Sequence, residues 1–85
     1  MPVMGRPVRL TVHLTDAERQ ALRTLAFAEG VPARLGRRAR ALLWLERGWR
    51  VSALAPQLGV SRWTLYQWAM AWTDKGLASV QPKGG

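Results

Sequence analysis

The run from Leu54 to Trp68, LAPQLGVSRWTLYQW, constrains the fold more than any other part of the chain. Ala55 is small where a second helix must cross closely. Gly59, four residues on, can take the positive φ that turns the chain sharply. Ser61 is a suitable N-cap for the helix that follows. Leu54, Leu58, Val60, Leu65 and Trp68 are spaced to face inward and fix two helices at a steep angle. This is a helix-turn-helix pattern. Its second helix should run from Arg62 to Lys75, with Gly76 behind it, and its first from Val51 to Leu58. Pro56 fits poorly, because it removes a backbone hydrogen bond inside the first of these helices. A late helix start or a slight kink is expected there.

Two further helices precede the pattern. Thr15 and Glu18 have the spacing of a capping box, and Asp16 and Glu18 suit the positive end of a helix dipole. Ala21, Leu22, Leu25 and Ala28 keep helical spacing, which predicts a helix over Asp16 to Glu29, stopped by Gly30. Pro32 suits the first turn of the next helix, expected from Pro32 to Arg47. Gly36 within it costs about 1 kcal/mol relative to Ala. Upstream, Val8, Leu10, Val12 and Leu14 alternate with Arg9, Thr11 and His13, a period-two signal for a short strand. His13 falls on the polar side and reads as a surface residue.

The expected architecture is therefore all-α. About four helices form a small cluster containing a helix-turn-helix, with a short N-terminal β-strand allowed by the alternation. Residues 1–14 read as an arm or strand, 15–76 as the domain and 77–85, with Pro82, Gly84 and Gly85, as a flexible tail. Nothing else in the chain offers a strand to pair with residues 8–14. The simplest partner is the same segment of a second copy, which predicts a homodimer through residues 8–14; the alternative is an extended arm lying across the helices.

Composition narrows the function. The 85 residues carry 13 Lys and Arg against 5 Asp and Glu, a net charge of +8. Residues 31–50 hold Arg34, Arg37, Arg38, Arg40, Arg47 and Arg50 against Glu46 alone, a net of +5. A folded basic domain with clustered Arg has the footprint of a nucleic-acid binder. There is no Cys and only one His, so no metal site is expected. The few acidic residues form no catalytic constellation; no enzyme, cofactor or small-molecule substrate is expected. No run reaches the roughly 18 apolar residues of a membrane span, and the N-terminus lacks the apolar core of a signal peptide. The expected setting is the cytoplasm.

A helix-turn-helix presents the opening side chains of its second helix to the major groove. Arg62, Trp63, Tyr66 and Gln67, with Met70 one turn on, are the candidate base contacts. Arg62 suits guanine and Gln67 adenine; Tyr66 can donate to phosphate or pack on a thymine methyl. Trp63 has two readings, pressing on sugar or methyl groups or covering the second helix. Ser61 and Thr64 lie at the helix start, and Arg37, Arg38 and Arg40 on the preceding helix; all five are candidate phosphate contacts. Arg6 and Arg9 form a candidate minor-groove arm. Trp68 and Trp72 share a face with Leu65 and read as core. Trp44 and Trp49 read as core or core edge rather than as stacking platforms for single strands.

The wider pattern resembles a known family. LTDAER, then RRARALLWLERG, then ALAPQLGVSRWTLYQW, then an apolar helix ending KGL, is similar to the N-terminal DNA-binding region of mariner-type bacterial insertion-sequence transposases. The resemblance covers about residues 8–80. It implies a homeodomain-like region that recognises the terminal inverted repeats of a mobile element. In that family a further DNA-binding part and an RNase H-like nuclease domain bearing Asp and Glu normally follow. The sequence ends at Gly85, so no strand-cutting activity is expected within it. Pro56 and the Trp-rich recognition helix depart from the family's usual run, which carries more Arg. The resemblance implies a bacterial, nucleoid-associated protein. A stand-alone transcriptional regulator on the same module, and a helical domain docking an acidic protein, are the alternatives.

Overall fold

A computed structural model of the chain describes residues 11–80. Four α-helices follow one another: α1 (Asp16–Phe27), α2 (Ala33–Glu46), α3 (Val51–Leu58) and α4 (Arg62–Lys75). A 3-10 helix, Gly76–Val80, closes the chain against α4 and α2. The last two α-helices have the expected bounds. The first two are shorter: α1 ends at Phe27 rather than Glu29, and α2 begins at Ala33, with Pro32 in the cap position, and ends at Glu46.

Local chemistry explains the starts and stops. At α1, Thr15 Oγ1 accepts from the Glu18 N–H at 3.1 Å while the Glu18 carboxylate accepts from the Thr15 N–H at 2.9 Å. At α4, Ser61 Oγ accepts from the Thr64 N–H at 3.1 Å. Between α3 and α4, Gly59 takes φ +69°, a left-handed conformation that a side chain would strain. The Gly59 and Val60 amides then satisfy carbonyls of the last turn, Val60 donating to Ala55 at 3.1 Å.

Pro56 does not delay α3. The helix opens at Val51, with the Ala53 and Leu54 amides both donating to the Arg50 carbonyl. The bond that Pro56 cannot make would have gone to Ser52, which is exposed, as is Pro56. Water can serve that carbonyl, and the helix tolerates the loss.

One apolar core joins every element. Leu22 from α1, Leu42 and Leu45 from α2, Leu54 from α3 and Leu65 from α4 are fully or almost fully buried in a single cluster. Ala55 is buried where α3 approaches its neighbours, consistent with the need for a small residue. Trp72 is buried and Trp68 packs on the core from its edge. Trp44 and Trp49 stack on each other with centroids 5.3 Å apart; Trp44 lies against the core and Trp49 at its rim.

Both ends of the described chain differ from expectation. Residues 11–15 adopt no strand, and no strand occurs among the described residues. The alternation is real, with Val12 buried and Thr11 and His13 exposed, but it faces the chain's own helices. The Trp72 indole N–H donates to the His13 carbonyl at 3.2 Å, doing for one backbone group what a sheet would have done. The extended-arm alternative is therefore the one seen over residues 11–14. Residues 8–10, and the candidate arm residues Arg6 and Arg9, lie outside the described residues. At the other end, Leu77 to Val80 do not belong to a tail. They complete the 3-10 helix, and Val80 is 0% exposed within the core. The tail expectation survives only for residues 81–85, which lie outside the description.

Candidate nucleic-acid interface

The candidate base contacts on α4 form one stripe. At about 100° per residue, Arg62, Tyr66, Met70, Trp63 and Gln67 fall within roughly 140° of one another. Leu65, Ala69, Trp72 and Trp68 fill the opposite arc and anchor it in the core. Arg62, Trp63, Gln67 and Met70 are exposed and Tyr66 is half-buried. Trp63 is 64% exposed, so it does not cover the second helix, and that reading is set aside. Arg62 and Gln67 have no hydrogen-bond or ion-pair partner among the described residues. Ser61 is exposed, but its hydroxyl is engaged in the cap and lies 2.9 Å from the Thr64 hydroxyl.

The three candidate phosphate contacts on α2 do not form one cluster. Arg37 is exposed and has no side-chain partner among the described residues. Arg38 turns toward α4, where its guanidinium carbon lies 5.9 Å from the Trp68 ring centroid. Its buried Nε has no partner, and burial holds its pKa below the ordinary arginine value. Arg40 turns the other way, donating to the Ala26 carbonyl at 3.2 Å and standing over Phe27 at 5.5 Å. It thereby satisfies one of the open carbonyls that end α1. The helical period separates Arg38 from Arg40 by nearly half a turn, which explains the divergence.

Two roles were missed at the sequence level. Arg19 ties α1 to α2: its Nε donates to Glu46 at 3.0 Å, a second nitrogen pairs with the other Glu46 oxygen, and a third reaches Asp16 at 2.8 Å. It also donates to the Leu14 carbonyl at 3.3 Å, pinning the extended segment 11–15 ahead of α1, the strap. The Arg19 hydrogen bond holds the Glu46 carboxyl below its usual range, and the same contact raises Arg19. The Asp16–Arg19 spacing was a visible signal; the partner in α2 was not. The second case is Arg47, Trp49 and Arg50, all exposed around the opening of α3, a helix with no side-chain cap. Their charge was counted, but no spacing marked them as a group.

A shallow hollow of about 330 Å³ beside the strap is lined by Thr11, His13, Glu18, Trp72, Thr73 and Gly76. The Glu18 carboxylate there is already engaged in the capping box. No group of three or more His, Asp or Glu among the described residues could hold a metal ion. No described helix is long and apolar enough to cross a membrane.

A family model described as a homeodomain-like domain matches residues 32–81. The chain belongs to the homeodomain-like family. The match takes in α2, α3 and α4 and leaves the strap and α1 as an addition ahead of the homeodomain-like unit. In this unit α4 stands in the place of the recognition helix, with the free stripe facing outward. No curated protein and no solved structure matches the chain.

Proposed function

We propose that this homeodomain-like chain is a sequence-specific reader of double-stranded DNA, working as the recognition part of a mariner-type transposition system. The observation that carries the reading is the stripe on α4. Arg62 and Gln67 have no side-chain partner among the described residues and flank the stripe at its two edges, on a rigid helix whose other face is sunk in the core. Arg donating twice to guanine, and Gln donating to and accepting from adenine, distinguish these bases in the major groove. The net charge of +8 supplies the phosphate attraction that brings them to the duplex. The resemblance of LTDAER through KGL to transposase N-terminal regions supports terminal inverted repeats as the target. Strand cutting then lies outside these residues, and the place of action is the nucleoid.

The test is anisotropy titration of the 85-residue chain on labelled duplexes, followed by selection from a random duplex pool. If about five phosphates are neutralised, log K falls against log salt with a slope of roughly −4 to −5. Affinity that stays flat from low to physiological salt sinks the DNA reading. A selected sequence that matches inverted repeats flanking the reading frame supports transposition. A selected sequence found instead in promoters moves the protein to the regulator alternative without touching the DNA reading.

A further inference from the structure

Trp63 and Met70 are 64% and 57% exposed, two of the four large apolar side chains left in solvent among the described residues. The other two, although Phe27 is the most exposed of the four at 73%, each have a ring contact within the chain. Phe27 lies under the Arg40 guanidinium, and Trp49 is stacked on Trp44. Trp63 and Met70 have no such cover, although α4 has a core-facing arc that takes Leu65, Ala69 and Trp72 completely. Their position on the free stripe beside Arg62 and Gln67 therefore asks for a partner that is apolar in spots and polar around them.

Their spacing gives the partner a dimension. Seven residues apart, they lie within about 20° of each other around the helix. Along the axis they are separated by about 10.5 Å. A helix lying along a groove would set them about three base-pair steps apart at roughly 3.4 Å per step. The apolar feature presented by base edges in the major groove is the C5-methyl of thymine. The charge suits a polyanion: Arg62 opens the same helix, and the chain as a whole carries a net +8.

We infer that Trp63 and Met70 act as a two-point methyl gauge, each covering the C5-methyl of one thymine, the two thymines lying about three base-pair steps apart. This rests on the DNA reading above and adds the base class and spacing that it reads. Arg62 and Gln67 supply hydrogen bonds between and beside these points. The gauge adds what hydrogen bonds alone do not provide, discrimination of thymine from uracil, whose hydrogen-bonding edge is the same.

The experiment starts from the preferred duplex selected above. Each thymine is replaced in turn by deoxyuridine, which removes only the methyl group, and affinity is measured with the intact chain. Two replacements, about three steps apart, should each weaken binding by about 3- to 5-fold, the scale of one buried methyl group. Trp63→Ala should abolish the sensitivity at one position and Met70→Ala at the other. Both residues are exposed, so unchanged thermal midpoints are expected to show the variants folded. Undiminished affinity after every deoxyuridine replacement, with preference over random duplex retained, overturns the gauge and leaves the DNA reading standing. Binding that prefers no sequence and ignores salt overturns both. Sedimentation is run alongside: variants that turn a dimer into a monomer while leaving the deoxyuridine pattern unchanged assign the patch to a second copy and overturn the gauge.

Discussion

In the α1–α2 half of the molecule two arginines, Arg19 and Arg40, are turned onto the protein itself, while Arg37 stays exposed. Arg19 holds Glu46, Asp16 and the Leu14 carbonyl, and Arg40 holds the Ala26 carbonyl. In the α3–α4 half, Arg62 and Gln67 have no acceptor or donor among the described residues, and Trp63 and Met70 stand uncovered beside them. The same side-chain chemistry serves as scaffold at Arg19 and Arg40 and as free surface at Arg37 and Arg62. What separates the cases is whether a helix end or a carboxylate lies within reach. A count of arginines cannot see that difference, because it depends on packing partners far away in sequence.

The harshest test of the division is a residue that both halves share. Leu42 is fully buried in the common core, and Leu42→Ala should cost about 2–5 kcal/mol of unfolding free energy in a urea melt. If the halves share one core, a single transition is retained; a melt that splits into two shows them to be independent. Ala55→Leu is next. It overpacks the α3 crossing and should cost about 1–3 kcal/mol in the same measurement. An unchanged midpoint would show that α3 has room the structure does not give it.

Binding variants should behave differently. Arg62→Ala or Gln67→Ala should lose about 1–3 kcal/mol on the preferred duplex and relax preference there, with thermal stability unchanged. Arg37→Ala should weaken all duplexes about equally. An equal loss on preferred and random duplexes for Arg62→Ala would erase the distinction between reading and anchoring. Arg40 sharpens the comparison from the other side. Arg40→Ala should lower stability by about 1 kcal/mol through the Ala26 hydrogen bond. If affinity falls and stability does not, Arg40 belongs to the interface instead.

The smallest effect concerns pH. Glu46 is held below its usual pKa by Arg19, so its contribution to stability is complete above the unfolded-state value and is lost as pH falls through the folded one. Both side chains are partly exposed, so water screens the pair and the effect is modest. Wild type should be more stable than Glu46→Gln at pH 7, and the gap should narrow as pH falls below the ordinary glutamate range. A gap that is constant over this range removes the ion pair as the cause.

The sequence made the α3–α4 half readable because its rules are local. Ala55, Gly59 and Ser61 each act within a few residues of their partners, and the bounds of both helices follow from them. The outward stripe was readable for the same reason, since helical period alone sets it. Long-range facts were not readable. Val12 and Leu14 keep a strand's alternation, but whether that row meets a sheet or a set of helices depends on Trp72, nearly sixty positions away. Arg19 meets Glu46 across 27 positions, and no local spacing announces it. Leu77 to Val80 follow a glycine and precede a proline and two more glycines, which looks like fraying; the burial of Val80 comes from a hollow that the other elements leave.

Val12 and Val80 sit in the same core as the leucines between them. This bears on how the protein is made. During synthesis the strap and α1 emerge before the rest of the domain, yet the core they belong to is completed by Val80, nearly seventy positions after Val12. Interactions that span the chain must wait for their later partner and bring a loop-closure cost with them. A growing chain therefore cannot finish this core until Val80 has left the ribosome, and until then the leucines of α1 and α2 have only part of their final cover.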